Sequence, residues 1–144
     1  MFFKRNGAFG EPLAQPEFLL ELTKELKGYH LCIETSGYAK SEIFKSVIDK
    51  LDFVIMDIKL MDSDLHKEYT GVENEIILKN LEILKNVGKP YIIRTPLIPT
   101  VTDTKENLDA IQKIIGDSKW EKIPYNTMAG AKYKMLGMKY GLKV

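Results

Sequence analysis

Phe53-Val54-Ile55-Met56-Asp57-Ile58-Lys59 is the stretch whose reading decides the fold. Its first four residues form an unbroken apolar run of the kind buried on both faces of a parallel sheet, and the run ends on a carboxylate and an ammonium. The same punctuation recurs along the chain. Tyr29 to Glu34 reads as a strand that closes on Glu34-Thr35-Ser36-Gly37. Tyr91-Ile92-Ile93-Arg94 is a strand stopped by Pro96 and Pro99, and Trp120 to Pro124 is a weaker one leading into Tyr125-Asn126.

Helical periodicity fills the gaps between these runs. Pro16 opens a helix with a stripe of Phe18, Leu19, Leu22 and Leu26, closed by Gly28. Ser41 to Leu51 carries Ile43, Phe44, Val47, Ile48 and Leu51 on one face. A short helix is expected within Asp62–Gly71 and a longer one over Glu75–Val87, with Ile77, Leu81 and Leu84 inward. Asp103 with Glu106 reads as a capping box for a helix bearing Leu108, Ile111, Ile114 and Ile115. After Tyr125 the chain reads as irregular, with a helical turn or two over Ala131–Met138. The order β-α-β-α-α-β-α-β implies an α/β fold, a parallel sheet with right-handed crossovers in one domain spanning residues 1–144.

Composition narrows the function. The 144 residues carry 21 basic and 20 acidic side chains, a formal net charge of +1, and so no footprint for nucleic acid or a membrane surface. No apolar run reaches membrane-span length and the N-terminus is not a signal peptide. The single cysteine, Cys32, excludes an internal disulfide framework and suits a reducing compartment, so a cytoplasmic location is expected. Cys32 itself reads as an inert buried thiol. His30 and His66 have no partner at metal-binding spacing.

In a parallel sheet the strand C-termini converge on one face, where ligands bind. Glu34, Asp57, Lys59 and Arg94 are therefore expected to share a site, although charged strand ends are also ordinary. Arg94 inside an apolar strand must be paired or reach a wet cavity. A ligand contact and a structural ion pair with Asp57 or Glu34 explain it equally well.

Taken in order, Gly10-Glu11-Pro12-Leu13, Glu34-Thr35-Ser36-Gly37, Asp57-Ile58-Lys59, Ile93-Arg94 and Ile123-Pro124-Tyr125-Asn126 resemble one family. These are the activating enzymes of glycyl radical enzymes, of the pyruvate formate-lyase activating enzyme type, within the radical S-adenosylmethionine (SAM) superfamily. The resemblance covers Gly10 to about Tyr140, and residues 1–9 share none of it. It implies part of a (β/α)₆ barrel that holds SAM at the strand ends. In the family, a [4Fe–4S] cluster reductively cleaves SAM, and the radical formed abstracts hydrogen from a glycine of the partner, a glycyl radical enzyme.

By the same resemblance Gly10 and Glu11 would contact the methionyl amine, and Lys59 and Arg94 would hold SAM polar groups. Asn126 would lie by the ribose and adenine. Glu34, Thr35, the Ile55 carbonyl and Asp57 would form a monovalent-cation site. Two departures stand out. The family's Cys-x₃-Cys-x₂-Cys cluster loop is absent from the sequence, and Ala8-Phe9-Gly10-Glu11-Pro12 stands where Ser-Gly-Gly-Glu-Pro is usual.

The expectation is therefore the C-terminal two-thirds of such an enzyme: no catalytic residue and no iron-sulfur ligand of its own, weak SAM binding, and no activity alone. A non-catalytic SAM- or partner-binding module is the rival. An unrelated barrel enzyme using Asp57 and Lys59 as acid and base is a third reading. The first strand would border a gap in the sheet, so dimerisation or aggregation through that edge is expected, or coverage of it by residues 1–14.

Overall fold

The computed structural model describes residues 10–125. A one-turn 3₁₀ helix, Pro12–Ala14, leads into α1 (Pro16–Glu25), β1 (Cys32–Thr35) and α2 (Ser41–Ile48). Then follow β2 (Phe53–Asp57), α3 (Ser63–Thr70), α4 (Glu75–Asn86), β3 (Tyr91–Pro96), α5 (Lys105–Ile115) and β4 (Trp120–Ile123). The four strands form one parallel sheet in the order β1-β2-β3-β4. That is the topology the alternating pattern implies.

Strand alternation divides the sheet into two unlike faces. Ile33, Thr35, Val54, Met56, Ile93 and Thr95 are buried beneath the helices. Their layer is completed by Phe44, Val47 and Ile48 of α2, Ile77, Leu81 and Leu84 of α4, and Ile111 and Ile115 of α5. Fully burying a side chain of this size stabilises by about 1.5–3 kcal/mol, so this layer is the main source of stability. The opposite face carries Cys32, Glu34, Ile55, Asp57, Ile92, Arg94 and Glu121, of which Ile92 alone is buried. A second, smaller apolar cluster of Leu60, Ile98 and Val101, with Tyr69 and Tyr125 against it, lies beyond the strand ends.

Several local expectations shift, each for a physical reason. Strand β1 begins at Cys32, because the Leu31 N–H is taken by Asp52 Oδ2 at 2.7 Å. Cys32 is exposed and not buried, since it alternates with Ile33 and falls on the uncovered face. Helix α1 turns Phe18 and Leu22 outward, at 65% and 37% exposure, while Leu19 and Leu20 meet the core. It packs mainly on α2 and the 3₁₀ turn, which leaves part of its stripe uncovered. The cap of α5 is Thr104, whose hydroxyl accepts from Asn107 N, whereas Asp103 accepts from Thr100 N. Asn126, residues 1–9 and the segment around Met128–Tyr140 lie outside the described residues.

Among the described residues β1 is an edge. Residues 10–14 pack at its C-terminal end, with Leu13 buried, and do not pair along it as a strand.

Candidate functional site

Register builds the polar rim of the open face. Asp57 pairs with Arg94, and Arg94 with Glu121, so these three stand side by side on β2, β3 and β4. Glu34 sits one row back on β1, level with Ile55. Arg94 Nη1 meets Glu34 Oε1 at 2.9 Å and Nη2 meets Glu121 Oε2 at 3.1 Å. Partial burial opposes the guanidinium charge, but Glu121 and Glu34 together outweigh it and hold the Arg94 pKa above its usual value. Lys59 Nζ reaches back to Asp57 Oδ2 at 3.0 Å, with only 12% of its side chain exposed. Four residues named from sequence thus meet on one face, and both readings of Arg94 keep support. Glu121 was not anticipated, because Trp-Glu-Lys-Ile reads as an ordinary half-exposed strand.

Two buried polar atoms here have no partner among the described residues: Asp57 Oδ1 and Arg94 Nε. One is an acceptor, the other a donor, and they belong to register neighbours. A buried polar atom left unpaired costs about 1–3 kcal/mol, so a ligand that offers both a cation and an anion would satisfy a standing deficit.

Glu11 is held by groups of the chain itself. Its carboxylate accepts from Leu13 N at 3.1 Å, Thr35 Oγ1 at 2.5 Å, Ser36 N at 2.8 Å and Ser36 Oγ at 2.6 Å. A carboxylate offers about four acceptor positions, and four donors of this chain occupy them. Glu11 therefore fastens the segment that precedes α1 to the turn after β1. Gly10 has φ +101° and open space where a side chain would project. At Gly37 (φ +74°) an added Cβ would lie 2.3 Å from Met56 Cε, so the turn closes directly on the core.

The Thr35 hydroxyl lies on the helix-covered face, between Glu11 and Gly37 N, while Glu34 and Asp57 are on the other. Thr35 can join a cation with them only through its backbone. Among the described residues no group of three His, Cys, Asp or Glu side chains is arranged to hold a metal ion.

Buried asparagines hold the rim loops, and sequence reading passed over them. Asn80 donates to the Gly37 and Ala39 carbonyls at 2.8 Å each. Its position in α4 between Ile77, Leu81 and Leu84 was the available signal: a polar residue within an apolar stripe must have a buried partner. A groove of about 500 Å³ between α3 and α5 is lined by Leu60, Leu65, Val101 and Ala110 among others, and by none of the rim residues.

SAM and an iron-sulfur cluster fit this chain differently. The methionyl end of SAM brings an ammonium and a carboxylate, which suit the unpaired Asp57 Oδ1 and Arg94 Nε and the flanking Glu34 and Lys59. A cubane cluster does not fit the residues present, because Cys32 is the only thiol of the sequence.

Comparison with known proteins gives one family. Residues 7–113 match the model of the radical SAM superfamily. The chain is 38% identical to the (2S)-3-sulfopropanediol sulfolyase activating enzyme of Bilophila wadsworthia, over 99% of this chain and 51% of that protein. It is 35% identical to the pyruvate formate-lyase-activating enzyme of Clostridium pasteurianum, over 99% of this chain and 64% of that one. The chain spans about half the length of the first of these relatives. A domain of the pyruvate-formate lyase-activating enzyme from Bacteroides vulgatus has a similar structure, with a TM-score of 0.70 and 26% identity over 95% of this chain and 96% of that one.

Proposed function

The chain belongs to the radical SAM superfamily, and from that premise we propose that its open face holds the methionyl end of SAM for an activating enzyme that acts on a glycyl radical enzyme. The observation that carries this reading is the convergence of Glu34, Asp57, Lys59 and Arg94 at the strand C-termini, with Asp57 Oδ1 and Arg94 Nε unpaired. The names of the relatives, all activating enzymes, support the partner class.

In this proposal each rim residue has a task. Asp57, steadied by Lys59 through Oδ2, offers Oδ1 to the ligand ammonium. Arg94 offers Nε to its carboxylate while Glu34 and Glu121 fix the guanidinium plane. The open face otherwise carries Glu34, Asp57 and Glu121 against Lys59 and Arg94, a balance of −1 that favours the cationic sulfonium ligand. SAM when bound supplies the adenosyl group for radical chemistry. These residues do not hold an iron-sulfur cluster, since Cys32 is the sole thiol of the sequence, and the rim residues bind and orient.

Titrating the isotope-labelled chain with SAM and following backbone amides tests the reading. Shifts are expected at Glu34–Ser36, Asp57–Lys59 and Arg94. Shifts confined to the groove between α3 and α5 would overturn it.

A further inference from the structure

Four consecutive carbonyls follow the end of β2, and a side chain claims each of them. Thr95 Oγ1 donates to Ile58 O at 2.7 Å, and Asn107 Nδ2 to Lys59 O at 2.9 Å. Asn74 Nδ2 donates to Leu60 O at 3.0 Å and to Met61 O at 2.9 Å. Met61 N in turn donates to Asn107 Oδ1 at 2.9 Å. The physical need is clear: the last ladder bond of β2 is Ile58 N to Arg94 O, yet Ile58 and Leu60 beyond it are almost fully buried. Backbone groups that leave a sheet while still buried must find other partners.

The way the need is met says more. Asn74 occupies the N-cap position of α4, where asparagine ordinarily caps its own helix, but it makes no capping bond and spends its amide on Leu60 and Met61. Asn107, in the first turn of α5, uses its whole amide, donating also to Thr102 O at 2.9 Å, and so couples the loop after β2 to the loop after β3. Two helices from different parts of the chain therefore grip one four-residue segment. The side chain that projects from it into the site is Lys59, held 3.0 Å from Asp57.

We infer that Asn107 and Asn74 are positioning residues for Lys59: by fixing the Ile58–Met61 backbone they hold its ammonium against Asp57. This deepens the proposed SAM site and rests on that reading only for the ligand half of the test. Asn107 acts on Lys59 directly through its carbonyl, and Asn74 acts from the next two residues. Loosening either grip lets the lysine swing into solvent without removing any atom of the rim.

The test labels lysines of the native chain with limiting acetic anhydride and reads each site by mass spectrometry. In the wild type Lys59 should react more slowly than the exposed Lys45; equal rates would overturn the inference with no variant needed. In Asn107→Ala, and in Asn107→Asp as the shape-keeping second variant, Lys59 should react about fivefold faster while Lys45 is unchanged; an unchanged Lys59 in a folded variant would overturn it. SAM affinity then supplies a thermodynamic cycle. Asn107→Ala should weaken binding about tenfold on the native background and less than about twofold on Lys59→Met. Equal losses on both backgrounds would show that Asn107 does not act through Lys59. If the wild type binds no SAM, the functional reading fails, while the labelling result still decides the inference.

Discussion

Arg94 on β3 reaches Glu34 on β1 across the intervening strand, closing a 2.9 Å ion pair on the open face while its other terminal nitrogen holds Glu121 on β4. One guanidinium thus ties the two edges of the described sheet. It is also the cation that keeps two carboxylates from standing over the face unpaired.

Removing that cation should therefore cost more than removing either acid. Glu34 has 57% of its side chain exposed, so Glu34→Gln should lower stability by less than about 1 kcal/mol after solvent screening. Arg94→Ala, which leaves both carboxylates unpartnered, should cost about 1–2 kcal/mol, and adding Glu34→Gln should recover part of it. Urea denaturation of the three variants checks the order, and equal costs would contradict it.

Glu11 offers a sharper contrast, because its four donors come from two separate segments. Glu11→Ala should destabilise by about 1.5–3 kcal/mol, the range for hydrogen bonds to a charged acceptor. The Ser36 amide should also lose its protection from hydrogen exchange. Glu11→Gln should fall between wild type and Ala, since its carbonyl oxygen still accepts from one pair of donors while its NH2 cannot accept from the other.

His66 should give the stability a pH dependence. Burial pushes its pKa below the usual 6.5; the Nδ1 hydrogen bond to the Val72 carbonyl at 2.7 Å partly offsets this, and the nearby Lys59 charge adds to the depression. The unfolded chain therefore binds the proton first. The contribution is fully present above about pH 6.5 and is lost as pH falls below it toward the folded-state pKa. Thermal midpoints should drop between pH 7 and pH 5, and more steeply than in His66→Gln. Parallel profiles would assign the effect to other groups.

Much of this arrangement could be read from the chain before its structure. The run Phe53–Met56 and its polar ending identified a parallel strand, although only Val54 and Met56 are buried and Phe53 and Ile55 are half-buried, so among the described residues it is covered on one face and not on both. The strand ends led to Glu34, Asp57, Lys59 and Arg94. What escaped depends on tertiary partners. Cys32 sits among apolar neighbours, yet alternation turns it to the face that no helix among the described residues covers. Phe18 and Leu22 fit a helical stripe, but α1 packs mainly on α2 and the 3₁₀ turn, and both side chains stay exposed. Asn74 and Asn107 look like ordinary helix-start residues until the loop after β2 is seen beneath them.

The exposure of Cys32 has a direct consequence for metal chemistry. One thiol should titrate with a disulfide reagent in the native state, with no loss of secondary structure by circular dichroism. Anaerobic incubation with iron and sulfide should give no stoichiometric [4Fe–4S] cluster, because one thiolate cannot hold a cubane. Iron at four per chain would contradict the site as described.

Titration calorimetry of SAM into the wild-type chain and into Asp57→Ala tests the central claim most directly. Without metal chelation of the methionyl end, the wild type should bind with a dissociation constant toward the millimolar range, about −4 kcal/mol. Asp57→Ala removes the unpaired Oδ1 and frees Lys59, and should bind at least about tenfold more weakly. Equal and tight binding by the two proteins would place the ligand away from the open face.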